Sequence, residues 1–237
     1  MALPTNLGTE SIGRLLRQYA VPAIVAMTAS SLYNMIDSIF IGQGVGPLAI
    51  SGLAVTFPFM NLAAAFGALV GVGASTIVSV KLGQKDYASA RKALGNVVAL
   101  NIIIGVMFMV VSLLFLDKIL LFFGASENTL QYAREYMEII LYGNVVTHMY
   151  LGLNAVMRSG GHPQRSMAMT ILTVILNAIL DPIFIFVLDW GIRGAAIATI
   201  LAQIVALTWI LISFTNKQEM LHFESGIFKL DRRIVTA

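Results

Sequence analysis

The run MAMTILTVILNAILDPIFIFVL, Met167–Leu188, carries a single charged residue, Asp181, among side chains that are nearly all apolar. Roughly 18 or more such residues in succession make a helix long enough to cross a bilayer. Strands of a membrane barrel would be shorter and would alternate polar with apolar positions. Five more blocks of the same kind flank this run, giving 15–41, 51–80, 93–115, 130–157, 167–188 and 195–214, with short polar joints between them. The fourth starts with Arg134, Glu135 and Glu138, yet its apolar stretch from Ile139 to Val156 keeps a spanning length. Composition agrees: 58% of residues are hydrophobic and 11% charged, against about 45–50% and about 25% in ordinary globular proteins. The expectation is an all-α membrane protein with a six-transmembrane-helix bundle at 15–214. A cytoplasmic amino-terminal segment, 1–14, and a basic cytoplasmic tail, 215–237, flank it.

The net charge of +3 does not point to nucleic acid, because the basic residues follow the membrane topology instead. With six spans, both termini and the even-numbered joints share one side. Of 15 Lys and Arg, only Lys118, Arg134 and Arg193 fall opposite; the tail residues Lys229, Arg232 and Arg233 are with the majority. Positive residues favour the cytoplasmic face, so both termini are expected there, in a bacterial or archaeal inner (plasma) membrane. The first block is too long for a cleaved signal peptide and reads as the first anchor. The chain has no cysteine, hence neither disulfides nor thiolate metal sites.

Of the 12 acidic residues, all but two fall in joints, tails or block ends, Glu10 and Asp231 included. The exceptions are Asp37 and Asp181. An aspartate at the centre of a membrane helix costs about +3 kcal/mol and is too short to reach the interface, so it reads as functional unless it is a neutral packing group. Asn177 stands four residues before Asp181, which stacks the two on one helix face. Pro182 follows and removes the N–H that would satisfy the carbonyl of Ala178. One turn thus presents a carboxylate, an amide oxygen and a freed carbonyl, a set of hard ligands for a small cation. In SSLYNMIDSIFIG, Tyr33 and Asn34 precede Asp37 by one turn and are expected to bond its carboxylate. Pro22 is expected to bend the same block. If Asp37 and Asp181 face each other, the pair holds one proton or one Na+. No other cofactor is expected.

Other polar or adaptable residues carry weaker signals. Gln203 reads as a helix–helix contact, and the glycines of GALVGVGAS allow close helix packing. The GVG triplet is no nucleotide loop, because no strand–loop–helix unit surrounds it. Tyr33, Tyr136 and Tyr142 offer aromatic faces to organic cations, and interfacial anchoring explains Tyr136 equally well. A minority of the methionines could line a pocket for greasy ligands. His148 lies in a span without an evident metal partner.

LYNMIDSIFIGQGVGPLAISGLAVTFPF, LNAVMRSGGHPQRSM, LNAILDPIFIF and GIRGAAIATILAQ, in this order, closely resemble the first half of the multidrug and toxic compound extrusion (MATE) family. The likeness runs from about Leu15 to Phe214, and the paired acidic residues favour the prokaryotic drug-exporter branch. It implies one lobe of a twelve-helix MATE-type transporter with a central cavity that opens alternately to each side. Such an antiporter exports organic cations or amphipathic drugs in exchange for H+ or Na+. The resemblance carries the cation-binding role onto Asp37, Asn177, Asp181 and Thr199, the helix-bending role onto Pro22, and a place near substrate onto Tyr136. It also implies a missing partner, the carboxy-terminal six-helix lobe, since this chain ends after one lobe and a stretch resembling the interlobe linker; a truncation is the expected explanation.

Three other readings fit the residues less well. A lipid-linked saccharide flippase of the same superfamily needs basic residues deep in the spans, and none is present here. An intramembrane aspartyl protease would carry Tyr-Asp and Gly-x-Gly-Asp motifs, whereas Asp37 follows Ile36 and Asp181 follows Leu180. A non-catalytic helper subunit does not explain the cost of two buried carboxylates.

Overall fold

A computed structural model describes residues 11–224 and 226–227. Glu10, Lys229, Asp231, Arg232 and Arg233 lie outside the described residues, as does the rest of the expected amino-terminal segment up to residue 10. The remainder is a bundle of helices, as a hydrocarbon solvent demands: only a helix satisfies its own backbone polar groups within one segment. In chain order these are α1 (Ile12–Gly44), α2 (Pro47–Gly83), α3 (Tyr87–Leu114), α4 (Leu116–Phe122), α5 (Glu127–Tyr142), α6 (Asn144–Ser159), α7 (Pro163–Pro182) and α8 (Gly191–Thr215). Five helical segments are each long and apolar enough to cross a membrane, and α5 with α6 supplies the sixth span as a pair bent by 58°.

Two features depart from the sequence reading. The joint after the third block folds into α4, a short helix exposing Leu121 and Phe122. The fourth block, expected as one span, breaks at Gly143. A Cβ there would collide with the side chain of Ile200 on α8, so the glycine lets α8 pack into the bend. Pro22 lies within an uninterrupted α1. At Pro182 the α-helix gives way to a single π-helical turn, Ile183–Val187, a common consequence of a lost i→i−4 bond.

The core has two apolar layers. Ile41, Leu53, Tyr136, Leu141, Ile185 and Ile192 close the end of the bundle away from the termini. Val78, Leu94, Leu153, Met157, Ile210 and Phe214 close the other. Between them lies a polar band. His148, fully buried, bonds the carbonyl of Ala63 through Nε2 at 2.9 Å and ties α6 to α2. No group of metal-ligating side chains occurs among the described residues.

Beyond α8 the chain turns back on the lobe. Leu221 and Ile227 are buried. The Phe223 N–H donates to the Phe214 carbonyl at 2.8 Å. Glu219 pairs with Arg165 at 2.9 Å and His162 at 3.2 Å, and Glu224 pairs with Arg91 at 2.6 Å. Burial opposes the Glu219 charge, but Arg165 and His162 together hold its carboxyl below the ordinary glutamate range. Burial first, then Arg165, depress the His162 imidazole despite Glu219. Both folded-state values lie below the unfolded ones, so both groups stabilise the fold at high pH. The contribution of His162 is complete above about pH 6.5 and fades as pH falls; that of Glu219 follows at lower pH. Glu219→Gln is expected to cost about 1 kcal/mol at pH 7, because Arg165 is half exposed. It should also flatten the loss of melting temperature between pH 7 and pH 4 relative to the parent chain.

Candidate functional site

The polar side chain sequence of α7 sets the site. Thr170, Thr173, Asn177 and Asp181 follow one another at three- and four-residue intervals and stack along one helix face. The stripe runs into Asp181, which is fully buried. Facing it on α1, which packs along α7, is Asp37, 4% exposed. The two carboxyl groups lie close enough to interact directly. Neither forms an ion pair with a Lys or Arg among the described residues.

The surroundings are built from hydroxyls and one amide. Asn177 Nδ2 donates to Asp181 Oδ1 at 3.1 Å and to Thr199 Oγ1 at 3.3 Å. The Tyr33 hydroxyl and Thr199 Oγ1 share a hydrogen bond of 2.8 Å, which ties α1 to α8. Tyr136, from α5, is buried close to the same threonine. Three oxygens buried here accept no hydrogen bond among the described residues: Asp37 Oδ1, Asp181 Oδ2 and Asn177 Oδ1. Such groups are costly in an apolar interior unless something binds them. Two carboxyls this close need a shared proton. Alternatively, the three free oxygens with Thr199 Oγ1 form a set of hard ligands suited to a small cation.

A cavity of about 460 Å³ adjoins the site; Tyr33, Asn177 and Thr199 line it, and neither aspartate does. Asn34 is also on its lining, as are Phe57, Met60, Asn144, Thr147, Tyr150 and Gln203. Thr147 donates to Gln203 Oε1 at 2.6 Å and links α6 to α8.

Thus Asp37, Asn177, Asp181, Thr199 and Tyr33 come together. The expected bond from Asn34 to Asp37 does not form: the Asn34 amide donates to the Ser30 carbonyl of its own helix at 3.0 Å, and its side chain faces the cavity. Nor does Tyr33 bond Asp37, since its hydroxyl is engaged by Thr199. Tyr136 is 1% exposed; it supports the cluster, does not line the cavity, and is no interfacial anchor. Tyr142 is 62% exposed at the opposite end from the termini. Pro182 adjoins the site, whereas Pro22 stands fifteen residues before Asp37, about 22 Å along an ideal helix. The cavity residues Asn144, Thr147, Tyr150, Thr170 and Thr173 were not singled out from the sequence. The readable signal was the α7 stripe, since its threonines share the 3–4 spacing of Asn177 and Asp181.

The MatE family model matches residues 22–183. The multidrug export protein MepA of Staphylococcus haemolyticus is 31% identical over 214 residues, 90% of this chain and 47% of its own length. A MATE protein solved in complex with MaL6 superposes with a TM-score of 0.90 at 27% identity, over 99% of this chain and 52% of that one. The outward-facing conformation of a multidrug resistance MATE family transporter of the MOP superfamily superposes with a TM-score of 0.87 at 28% identity, over 93% and 49%. The chain therefore spans about half the length of the relatives it matches.

Proposed function

The chain belongs to the MatE family, the MATE transporters, and from that premise we propose that it is the amino-terminal lobe of a multidrug efflux antiporter driven by H+ or Na+. MATE proteins are transporters rather than enzymes, so the paired aspartates are assigned to ion coupling and not to proteolysis. The observation that carries this reading is the approach of Asp37 and Asp181, from two different helices, in a buried site with no basic partner among the described residues. A proton or Na+ held there joins α1 to α7. When it leaves, two carboxylates repel across a low-dielectric gap. α1 is the element free to respond: of its 33 residues only Pro22, Asp37 and Ile41 are buried. Its other contacts, mostly along α7, are made by half-buried positions.

The substrates under this reading are organic cations or amphipathic drugs, received partly in the cavity beside the ion site and partly by a second six-helix lobe. The membrane is the bacterial or archaeal plasma membrane, with both termini cytoplasmic. Calorimetric and potentiometric titration of the chain in lipid nanodiscs tests the ion site. Uptake of about one proton, or its replacement by one Na+, that vanishes in the Asp37→Asn/Asp181→Asn double variant supports it. A titration that the double variant leaves unchanged overturns it.

A further inference from the structure

At the end of the lobe away from the termini, α3, α4 and α5 enclose a second pocket of about 390 Å³. Its walls differ from those of the inner cavity. Arg134, Glu138 and Tyr142 recur every four residues along one face of α5, opposite Asp117 and Lys118 of α4. The floor is the last turn of α3, Leu113 to Phe115.

The pocket sits where hydrocarbon gives way to headgroups. Leu114, Phe115, Leu121 and Phe122 beside it are 73%, 50%, 52% and 84% exposed. Large apolar side chains so bare at the end of a spanning helix offer a surface suited to acyl chains, while Leu116 and Leu120 anchor α4 to the core. The charges at the same level are only partly matched. Arg134 pairs with Asp117 at 3.4 Å. Lys118 has the Phe115 ring at 5.8 Å and no carboxylate among the described residues. Glu138 accepts a long hydrogen bond, 3.4 Å, from Tyr142 and forms no ion pair among the described residues. One unmatched cation and one unmatched anion thus share a pocket without pairing with each other.

We propose that this pocket seats the headgroup of a phospholipid that carries both a phosphate and a primary ammonium. The phosphate lies against Lys118 and Arg134, the ammonium against Glu138 and the Tyr142 ring, and the acyl chains run over Leu114 and Phe122. Charge complementarity selects such a headgroup over a purely anionic one, which leaves Glu138 facing negative charge. A bulky quaternary ammonium loses the hydrogen bonds that Glu138 offers.

The test is lipid retention. The chain is purified from membranes, placed in nanodiscs of phosphatidylethanolamine, phosphatidylglycerol and phosphatidylcholine in equal parts, and the lipid that stays bound on detergent extraction is quantified by mass spectrometry. Phosphatidylethanolamine is expected to be enriched about threefold, the effect of one or two partly exposed charge contacts. Lys118→Ala and Glu138→Ala should each reduce that enrichment to the bulk ratio. The exchanged pair Lys118→Glu/Glu138→Lys should restore part of it, with an unchanged melting temperature as the check on folding. Equal retention of the three lipids overturns the proposal. So does enrichment that survives both single variants, or a change in oligomeric state in those variants, which makes the pocket a protein contact instead.

Discussion

Asp181→Asn is expected to lower the affinity of the chain for its coupling cation by two orders of magnitude or more. The asparagine keeps the shape of the aspartate and still meets Asp37, so the bundle should fold. It removes one of two charges in a fully buried site. Deleting one partner of a buried charge pair costs about 3–5 kcal/mol, which is roughly a hundredfold to several thousandfold in binding. Asp37→Asn should have a similar effect. Thr199→Val removes a neutral ligand that also organises Tyr33 and Asn177, and about a tenfold loss is expected, since a neutral hydrogen bond contributes about 1 kcal/mol. In a full-length transporter, both aspartate variants should lose ion-driven drug export and its pH dependence. Export with normal pH dependence in both would remove the ion-coupling role from this pair.

Gly71→Ala is expected to be strongly destabilising, because it forces two spanning helices apart. A Cβ at Gly71 would stand 2.6 Å from the Cα of Gly152 and 3.0 Å from its carbonyl oxygen. Both obstacles are backbone, so α2 and α6 must separate rather than a side chain yield. Overpacking of this kind costs about 1–3 kcal/mol or more. The separation also disturbs Gly67, one turn earlier, which lies against His148. Gly73→Ala is the control: nothing stands within 4 Å of its Cβ position, and alanine improves helix propensity by about 1 kcal/mol. Thermal unfolding in detergent should place Gly71→Ala well below the parent and Gly73→Ala at or above it. Equal melting temperatures for the two would show that α2 and α6 do not meet through these glycines.

Much was legible in the primary structure because the bilayer makes strong demands. Every apolar block had to become a helix, since nothing in hydrocarbon satisfies a bare backbone. Asp37 and Asp181 stood out because a carboxylate at that depth is expensive. Asn177 could be placed beside Asp181 from spacing alone, because i and i+4 share a helix face. The glycine pair 67 and 71 announced a close helix contact by the same periodicity.

Tertiary structure decided everything that depends on which helix lies opposite. The orientation of Asn34 was settled by competition: the Ser30 carbonyl, one turn back, is nearer in chain and geometry than the carboxylate it was expected to serve. Tyr33 was drawn away from Asp37 because α8 brings Thr199 within 2.8 Å of it. The break at Gly143 came from Ile200, a residue far along the chain that fills the space a side chain would need. Local periodicity can place residues on a face, but the partner of that face is set by packing between distant segments. For this protein the sequence by itself determined the spans and the two carboxylates. Only the folded bundle decided that they come together, beside Asn177 and Thr199, because α1, α7 and α8 are distant in the chain.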